Sequence, residues 1–444
     1  MDHVEKLTVE VLGTPVGVLA PSAEKPKYVF SYLPDAPATH FVSLSMPVRP
    51  ESYEWPEGLH PVFQMNLPEG YQKELLRQKL GRLMPVDDFS LLALTGSRGI
   101  GRVSIYPWGQ QRPNTEALPL VEVLAHPDSR AALLAALNEY IVSDHRFESI
   151  SGVMPKVSGL PTLAPDEKIT VTADEWILKT GREDTPGIAI NEYLCLELAR
   201  AMGLPVPRTK LSADGDVLAV ARFDRDSDGT PLGLEEFCAL MGMPPHDKYN
   251  ATMEGIAKHL NMWCAESERI SSAKRLVEMV VLNLVVRNAD AHAKNYAVLY
   301  SSVENATLAP VFDVVTVAAY RDFAQSPFGL SIGGRKAWNL RKELERLCVE
   351  RLNLPVSVVA DALDKAAAGM QRLVPELVRY ANDYPHFRLA GKRMLRLWEE
   401  GLHTTSGEKG VSVLVDFSAP KFSDEARPRK SRRSRRIMNP EKLE

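Results

Sequence analysis

The sequence has few cysteines and none of the segments that direct a chain into or across a membrane. Four cysteines occur in 444 residues, and they form no CxxC pair. The apolar neighbours of Cys195 and Cys238 favour reduced, buried thiols in a cytosolic setting over disulfides or zinc sites. The first residues, MDHVEKLTVEVLG, lack a basic segment followed by an apolar run, and no window of about 18 apolar residues appears. We therefore expect a cytoplasmic protein with no membrane partner.

The chain also lacks a large net charge, which is −4 at pH 7. Such a balance does not indicate a nucleic-acid-binding protein, but the positive charges are unevenly distributed. The basic side chains of one short C-terminal stretch are Arg427, Arg429, Lys430, Arg432, Arg433, Arg435 and Arg436. Two interpretations remain open for this stretch: a solvated tail, or a salt-sensitive contact with nucleic acid or another acidic surface.

The length predicts about two to three domains or lobes. Short apolar runs separated by Gly, Pro and Asp predict a β-rich subdomain over residues 1–107, followed by a linker and helix over 108–144. We place a second, mixed unit of strands and helices at 145–233, a mostly helical unit at 234–405 and a flexible basic tail at 406–444. The predicted fold class is α+β.

Local patterns place several elements within these units. Strands are predicted at 168–173, 175–180 and 216–224, with an amphipathic helix at 191–203 before the last of them. A further strand is predicted at 295–300. From 341 to 401 the pattern is helical, with breaks expected at three prolines, Pro355, Pro375 and Pro385.

One polar octapeptide, NADAHAKN at 288–295, directly follows the apolar stretch LVEMVVLNLVV. Asp290 and Asn295 stand five residues apart, the spacing of a kinase catalytic loop in which Asp is the base and Asn a magnesium ligand. The spacing alone is weak, because Asp and Asn are common in loops. Lys294 is a candidate to neutralise the transferred phosphate, whereas His292 is equally well explained as a structural residue.

Asp313 is the most informative acid in the sequence, because it lies inside the apolar run TLAPVFDVVTVAAY. A carboxylate among such neighbours is costly to bury unless a metal ion or a cation compensates it. Lys179 ends a predicted strand, where it is either a ligand of the ATP phosphates or an ordinary lysine reaching water. Glu192 begins the next helix and is an open candidate to pair with that lysine.

Two further segments complete the list of parts that phosphoryl transfer requires. The Ser/Gly-rich stretch FESISGVMPKVSG at 147–159 is either a phosphate-binding loop or a plain surface loop. The segment VLAVARFDR at 217–225 is either an adenine-contacting hinge between two lobes or a strand with an exposed turn.

The order and spacing of these blocks resemble those of the HipA family, the serine/threonine kinase toxins of bacterial toxin–antitoxin modules. The resemblance runs from about residue 7 to about residue 400 and includes VGVLAP, PVFQMNLPEG, SISGVMPK, WILKT, VARFDR, DKYN, NADAHAKNYAVLY and LAPVFDVV. It implies a two-lobed, protein-kinase-like fold that uses ATP and Mg²⁺, with residues 145–233 as the ATP-binding N-lobe and residues 234–405 as the helical C-lobe that contains the catalytic loop.

The resemblance also implies roles for individual residues. Asp290 becomes the catalytic base, and Asn295 and Asp313 become the metal ligands. The residues implied to contact ATP are Ser151, Gly152, Val153, Met154, Pro155, Lys156, Lys179, Ala221, Arg222, Phe223, His292, Ala293, Lys294, Asn295, Phe312 and Asp313. Ser149 corresponds to the serine that family members autophosphorylate, and Ser151 is a second possible phosphosite. A phosphate there would add about −1.5 to −2 charge and is expected to switch the kinase off.

Family members phosphorylate an aminoacyl-tRNA synthetase, and they bind a HipB-like helix-turn-helix antitoxin on operator DNA. The resemblance therefore implies a translation-arresting protein kinase controlled by autophosphorylation and by an antitoxin. The alternatives are a kinase-fold co-repressor that works mainly with the antitoxin on DNA, and a small-molecule or lipid kinase.

Overall fold

The computed structural model describes residues 4–22, 27–68, 73–74, 76–78, 86–112, 120–142, 169–172, 175–182, 184–418 and 421–422. Within them the polypeptide forms sheets of five, four and three strands and a large group of helices. All four cysteines are free and buried, as the sequence predicts. None of the helices in the described ranges has the length and apolarity to span a membrane.

The N-terminal unit is a five-stranded antiparallel sheet in the order β4-β3-β2-β1-β5. Its strands are β1 Leu7–Val11, β2 Thr14–Pro21, β3 Tyr28–Tyr32, β4 Tyr53–Glu54 and β5 Val103–Pro107, and its helices are α1 Pro61–Gln64 and α2 Asp88–Thr95. Strand β1 lies between β2 and β5, and each of its residues is buried. The short apolar runs of the sequence therefore form one sheet with its own core.

A second antiparallel sheet, in the order β6-β7-β9-β8, forms the smaller lobe that follows. Its elements are α3 Leu120–Ala125, α4 Ser129–Val142, β6 Ile169–Thr172, β7 Trp176–Thr180, α5 Ile188–Ala201, β8 Thr209–Leu211 and β9 Val217–Ala221. In β7, Trp176, Leu178 and Thr180 are buried while Ile177 and Lys179 are partly exposed. This alternation puts Lys179 on the same face as Ile177, as its period of two predicts.

The larger lobe is mostly helical around a small sheet in the order β10-β11-β12. Its elements are β10 Gly233–Glu236, α6 Phe237–Leu240, α7 Met253–Trp263, α8 Arg269–Val285, β11 Ala297–Tyr300, β12 Thr307–Leu308, α9 Arg341–Leu352, α10 Ser357–Asp383 and α11 Arg388–Ser406. One continuous apolar core joins α5 of the smaller lobe to α8, α10 and α11. The fold is thus the two-lobed α+β arrangement expected from the sequence.

One predicted helix break is wrong. Helix α10 runs from Ser357 to Asp383 and contains Pro375 in its interior. A proline there removes one backbone hydrogen bond and disfavours the helix locally. The buried stripe on either side of it, which includes Leu373, Val374 and Leu377, packs into the core and offsets that cost. Pro355 and Pro385, in contrast, both lie between helices.

The N-terminal unit is held to the larger lobe by the buried carboxylate of Glu235. Glu235 is 2% exposed and accepts hydrogen bonds from Ser43 Oγ at 2.5 Å, Leu44 N at 2.7 Å and Tyr300 OH at 2.5 Å. Burial raises the pKa of the Glu235 carboxyl, and the hydrogen bonds oppose that rise. Arg102 adds to the contact, since its guanidinium lies 4.9 Å from the Tyr300 ring centroid.

Glu235→Ala is expected to lower the free energy of unfolding by about 3 kcal/mol, because it leaves three donors without their acceptor in a buried place. Urea unfolding followed by tryptophan fluorescence measures the change. Glu350→Ala is the matched control, since Glu350 is exposed and its ion pair with Arg346 is worth under about 0.5 kcal/mol. Equal losses in the two variants would contradict the role given to Glu235.

The raised pKa of Glu235 also has a pH signature. A group whose pKa is higher in the folded state stabilises the fold fully below its unfolded value, near 4.5, and loses that contribution as pH rises. Glu235→Gln cannot titrate. As pH rises from about 4.5 through the raised pKa of Glu235, the wild type should therefore lose stability relative to this variant, and a constant difference would refute the assignment.

Candidate active site

Three charged residues from separate elements meet between the lobes. Lys179 Nζ on β7 donates to Glu192 Oε1 on α5 at 2.5 Å and to Asp313 Oδ1 at 2.9 Å. The side chain of Glu192 is 2% exposed and that of Lys179 is 12% exposed. Such desolvated charges require partners, and each of the three has one here. The pair of Lys179 and Glu192, left open by the sequence, is therefore formed.

The cation next to Asp313 is Lys179. The sequence predicts that either a metal ion or a cationic side chain compensates the charge of Asp313, and the second of these is present. The side chain of Asp313 is 25% exposed, so solvent can also reach the carboxylate. The backbone of Asp313 has a φ of +57°, a left-handed conformation that costs free energy for a residue other than glycine. Strain of this kind persists where surrounding contacts impose it, and it occurs often at functional sites.

The segment after Asp313 is fixed by residues that the sequence analysis did not single out. Asn191 on α5 makes two hydrogen bonds with the backbone of Thr316, at 3.1 Å to its carbonyl and 2.9 Å from its N–H. Trp398 Nε1 on α11 donates to Thr316 Oγ1 at 2.9 Å. Because Asn191 precedes Glu192, one helix turn holds both the Lys179 partner and the Asp313 segment. No local pattern marks these contacts in the sequence.

The octapeptide 288–295 forms the loop after α8 and is held by buried amides. Asn288 Nδ2 donates to Asn283 Oδ1 at 2.7 Å, and Asn288 Oδ1 accepts from the backbone N–H of Asp290 at 3.1 Å. The loop also packs tightly on Gly329, where a Cβ atom would lie 2.6 Å from the carbonyl oxygen of Ala291. The octapeptide is thus an ordered loop, and position 329 must be glycine because any larger residue would collide with the loop backbone.

Asn295 links this loop to the Asp313 segment. Its Nδ2 donates to the carbonyl oxygen of Asp290 at 3.0 Å and to that of Asp313 at 3.4 Å. An amide oxygen and a carboxylate are suitable ligands for Mg²⁺, which takes few protein ligands and completes its shell with water and phosphate oxygens. The donor set of Asn295 and Asp313 fits such an ion.

Asp290 itself contacts a residue from outside its loop. Its Oδ1 accepts a hydrogen bond from the hydroxyl of Tyr249, a residue of the DKYN block. His292 Nε2 lies 3.7 Å from the same oxygen. Burial, with the charge of Lys248 second, holds the pKa of His292 well below its usual value, so His292 is neutral. Its ring packs edge-on against Tyr249 at 5.1 Å, which favours a structural role.

Lys294 makes a different contact from the one its sequence position suggests. Its Nζ donates to Glu236 Oε2 at 2.7 Å, and the side chain is 10% exposed. Ala293, before it, donates its backbone N–H to the carbonyl oxygen of Lys248 at 3.1 Å. Both residues therefore connect the loop to neighbouring segments of the larger lobe.

The candidate hinge follows β9, whose last residue is Ala221. The ring centroids of Phe223 and Phe312 lie 5.5 Å apart, so the hinge packs against the Asp313 segment. Arg222 pairs with Asp224 at 2.6 Å, and Asp224 also accepts from the N–H of Gly101 at 2.7 Å. Burial would raise the pKa of Asp224, but the hydrogen bond and charge of Arg222 lower it overall. The hinge is thus hydrogen-bonded to the N-terminal unit through Gly101, which precedes β5.

Several predicted site residues lie outside the described ranges. They are Ser149, Ser151, Gly152, Val153, Met154, Pro155 and Lys156, together with the basic stretch between Arg427 and Arg436. The predictions made for them stay predictions. Lys179, Ala221, Arg222, Phe223, Asp290, His292, Ala293, Lys294, Asn295, Phe312 and Asp313 all lie within the described part of the chain.

Comparison with known proteins gives two family matches. Residues 7–106 match the HipA N-terminal domain, and residues 148–374 match the HipA-like C-terminal domain. The Sinorhizobium fredii protein Y4mE is 32% identical over 316 residues, covering 66% of this chain and 72% of that protein. The serine/threonine-protein kinase toxin HipA of Shewanella oneidensis is 26% identical over 289 residues, covering 60% of this chain and 64% of that one.

A solved structure shows the same fold. It is that of the Shewanella oneidensis MR-1 toxin–antitoxin system, a complex of HipA, HipB and operator DNA. The match has a TM-score of 0.67 at 18% identity and covers 89% of this chain and 96% of that one.

Proposed function

The chain belongs to the HipA family of kinases, and from that premise we propose that it is a serine/threonine protein kinase toxin. It uses Mg-ATP to phosphorylate a component of translation, with an aminoacyl-tRNA synthetase as the expected target. The observation that carries the proposal is the meeting of Lys179, Glu192 and Asp313 beside the loop of Asp290 and Asn295. This set supplies a cation for the phosphates, metal ligands and a base.

In the proposed reaction the oxygen of a serine or threonine hydroxyl forms a bond to the γ-phosphorus of ATP. The bond from that phosphorus to the β,γ-bridging oxygen breaks, ADP leaves, and the hydroxyl proton passes to the carboxylate of Asp290. Lys179 holds the phosphates. Asn295 and Asp313 would hold Mg²⁺, which when bound neutralises phosphate charge. Ala221, Arg222 and Phe223 are the proposed contacts of the adenine.

The proposal includes regulation of the kinase by autophosphorylation. Ser149 or Ser151 would accept the phosphate, and the added charge beside the proposed phosphate loop, Ser151 to Lys156, would switch the kinase off. Helix α4 ends at Val142, shortly before these serines, and β7 with Lys179 follows them.

The direct test is phosphoproteomics of cells that express the wild type or Asp290→Asn. The expected result is growth arrest, a phosphorylated synthetase and phosphate on Ser149 or Ser151 with the wild type alone. Purified wild type that transfers no label from γ-labelled ATP to itself or to a cell extract would refute the kinase proposal. Labelling of a small molecule or lipid in place of protein would instead support the alternative of a small-molecule or lipid kinase.

A second function is favoured by one observation, the similarity of the fold to HipA in its complex with HipB and operator DNA. We propose that a HipB-like helix-turn-helix antitoxin binds this chain in the cytoplasm and carries it to operator DNA. The basic stretch between Arg427 and Arg436 is the candidate for added DNA contact. Deleting residues 427–436 should then weaken operator binding by the antitoxin complex and leave kinase activity intact, and unchanged binding would exclude that contact.

A further inference from the structure

The hydroxyl of Tyr249 donates a hydrogen bond to Oδ1 of Asp290 from a different segment of the chain. Tyr249 lies in the turn between α6 and α7, forty-one residues before Asp290. A carboxylate that must accept a proton is effective only when one of its oxygens points at the substrate hydroxyl. A fixed donor on Oδ1 limits the rotation of that carboxylate.

The position of Tyr249 is itself determined by several contacts. Lys336 Nζ donates to the carbonyl oxygen of Tyr249 at 2.8 Å. The carbonyl oxygen of the preceding Lys248 accepts from the N–H of Ala293 in the catalytic loop at 3.1 Å. The aromatic ring packs edge-on against His292 at 5.1 Å. Tyr249 is thus held both by the octapeptide and by Lys336, in the segment after Gly329. These contacts fix the position from which its hydroxyl reaches Asp290.

From these contacts we propose that Tyr249 is a positioning residue, which holds the Asp290 carboxylate in the orientation that receives the proton of the protein hydroxyl. This proposal rests on the proposed kinase function. The hydroxyl of Tyr249 contacts the proposed base directly, so the effect proposed for it is on proton transfer. It also gives a role to the DKYN block.

The test is a kinetic comparison of Tyr249→Phe with the wild type. Phenylalanine keeps the ring packing on His292 and removes only the hydroxyl. We expect kcat for phosphorylation to fall by about 10- to 100-fold, since a small misplacement of a reacting group costs up to about 100-fold. The KM for ATP should change by less than about twofold. Tyr53→Phe, which loses a hydrogen bond to the carbonyl oxygen of Pro47 in the N-terminal unit, is the matched control.

A double-mutant cycle separates positioning from a general structural effect. If Tyr249 acts through Asp290, adding Tyr249→Phe to Asp290→Asn should cause almost no further loss. Multiplicative losses, or a Tyr249→Phe variant with the kcat of the wild type, would overturn the proposal. A wild type without any transferase activity would overturn the kinase function itself, which is a distinguishable failure.

Discussion

Replacing Asp290 by asparagine is expected to lower kcat for phosphorylation by about 10²- to 10⁴-fold, the usual contribution of a general base. The amide oxygen still accepts the hydrogen bond of the Tyr249 hydroxyl, so the loop should keep its structure. It cannot take up the proton of the substrate. The backbone carbonyl that Asn295 contacts is unchanged by the substitution, so the KM for ATP should stay within about threefold of the wild type. Initial-rate kinetics with a peptide or with self-labelling measure both constants.

Asp361→Asn is the control for that experiment, because Asp361 is exposed on α10 and takes no part in the proposed site. It should keep the wild-type kcat. A loss below about tenfold for Asp290→Asn would show that Asp290 is not the base. A large rise in KM for ATP with unchanged kcat would instead assign Asp290 to binding.

Replacing Asp313 by asparagine is expected to reduce kcat/KM for ATP by about 10²- to 10³-fold. The substitution removes a negative charge from the proposed metal site, where charge stabilisation is worth several kcal/mol, and about 1.4 kcal/mol corresponds to tenfold. Asparagine is chosen because it tolerates the left-handed backbone of this position, φ +57°, whereas alanine would add strain. Lys179 keeps its partner Glu192 in the variant.

The signature of this second variant is its dependence on magnesium. The Mg²⁺ concentration for half-maximal rate should rise at least about tenfold relative to the wild type, because one charged ligand is lost. Asp322 is an exposed aspartate that follows the Asp313 segment, and Asp322→Asn should leave that concentration unchanged. If Asp313→Asn lowers the rate at every Mg²⁺ concentration by the same factor, Asp313 is no metal ligand.

The local periodicity of apolar residues predicts several strands and helices of the fold correctly. The alternation in β7 placed Lys179 on the face of Ile177, and the strands β6, β7 and β9 lie within the stretches predicted for them. Helix α5 overlaps its predicted stretch, 191–203, but begins three residues earlier, at Ile188. Such elements can be predicted because the periodicity of apolar and polar residues extends over the whole segment. Pro375 shows the limit of local reasoning. Its intrinsic preference against helix is real, but packing of the surrounding apolar stripe outweighs it.

The sequence by itself determined which residues were candidates: a lysine ending a strand, an aspartate in an apolar run, and an Asp and Asn five residues apart. Only the tertiary structure decided which of them meet. Lys179 and Asp313 are separated by 134 positions and lie 2.9 Å apart. The contacts that gave roles to Tyr249, Asn191, Trp398 and Glu235 join residues 41 to 192 positions apart. Hydrogen bonds and ion pairs act over a few ångströms in space, and a periodicity of two or 3.6 residues carries no information about which distant segments come that close.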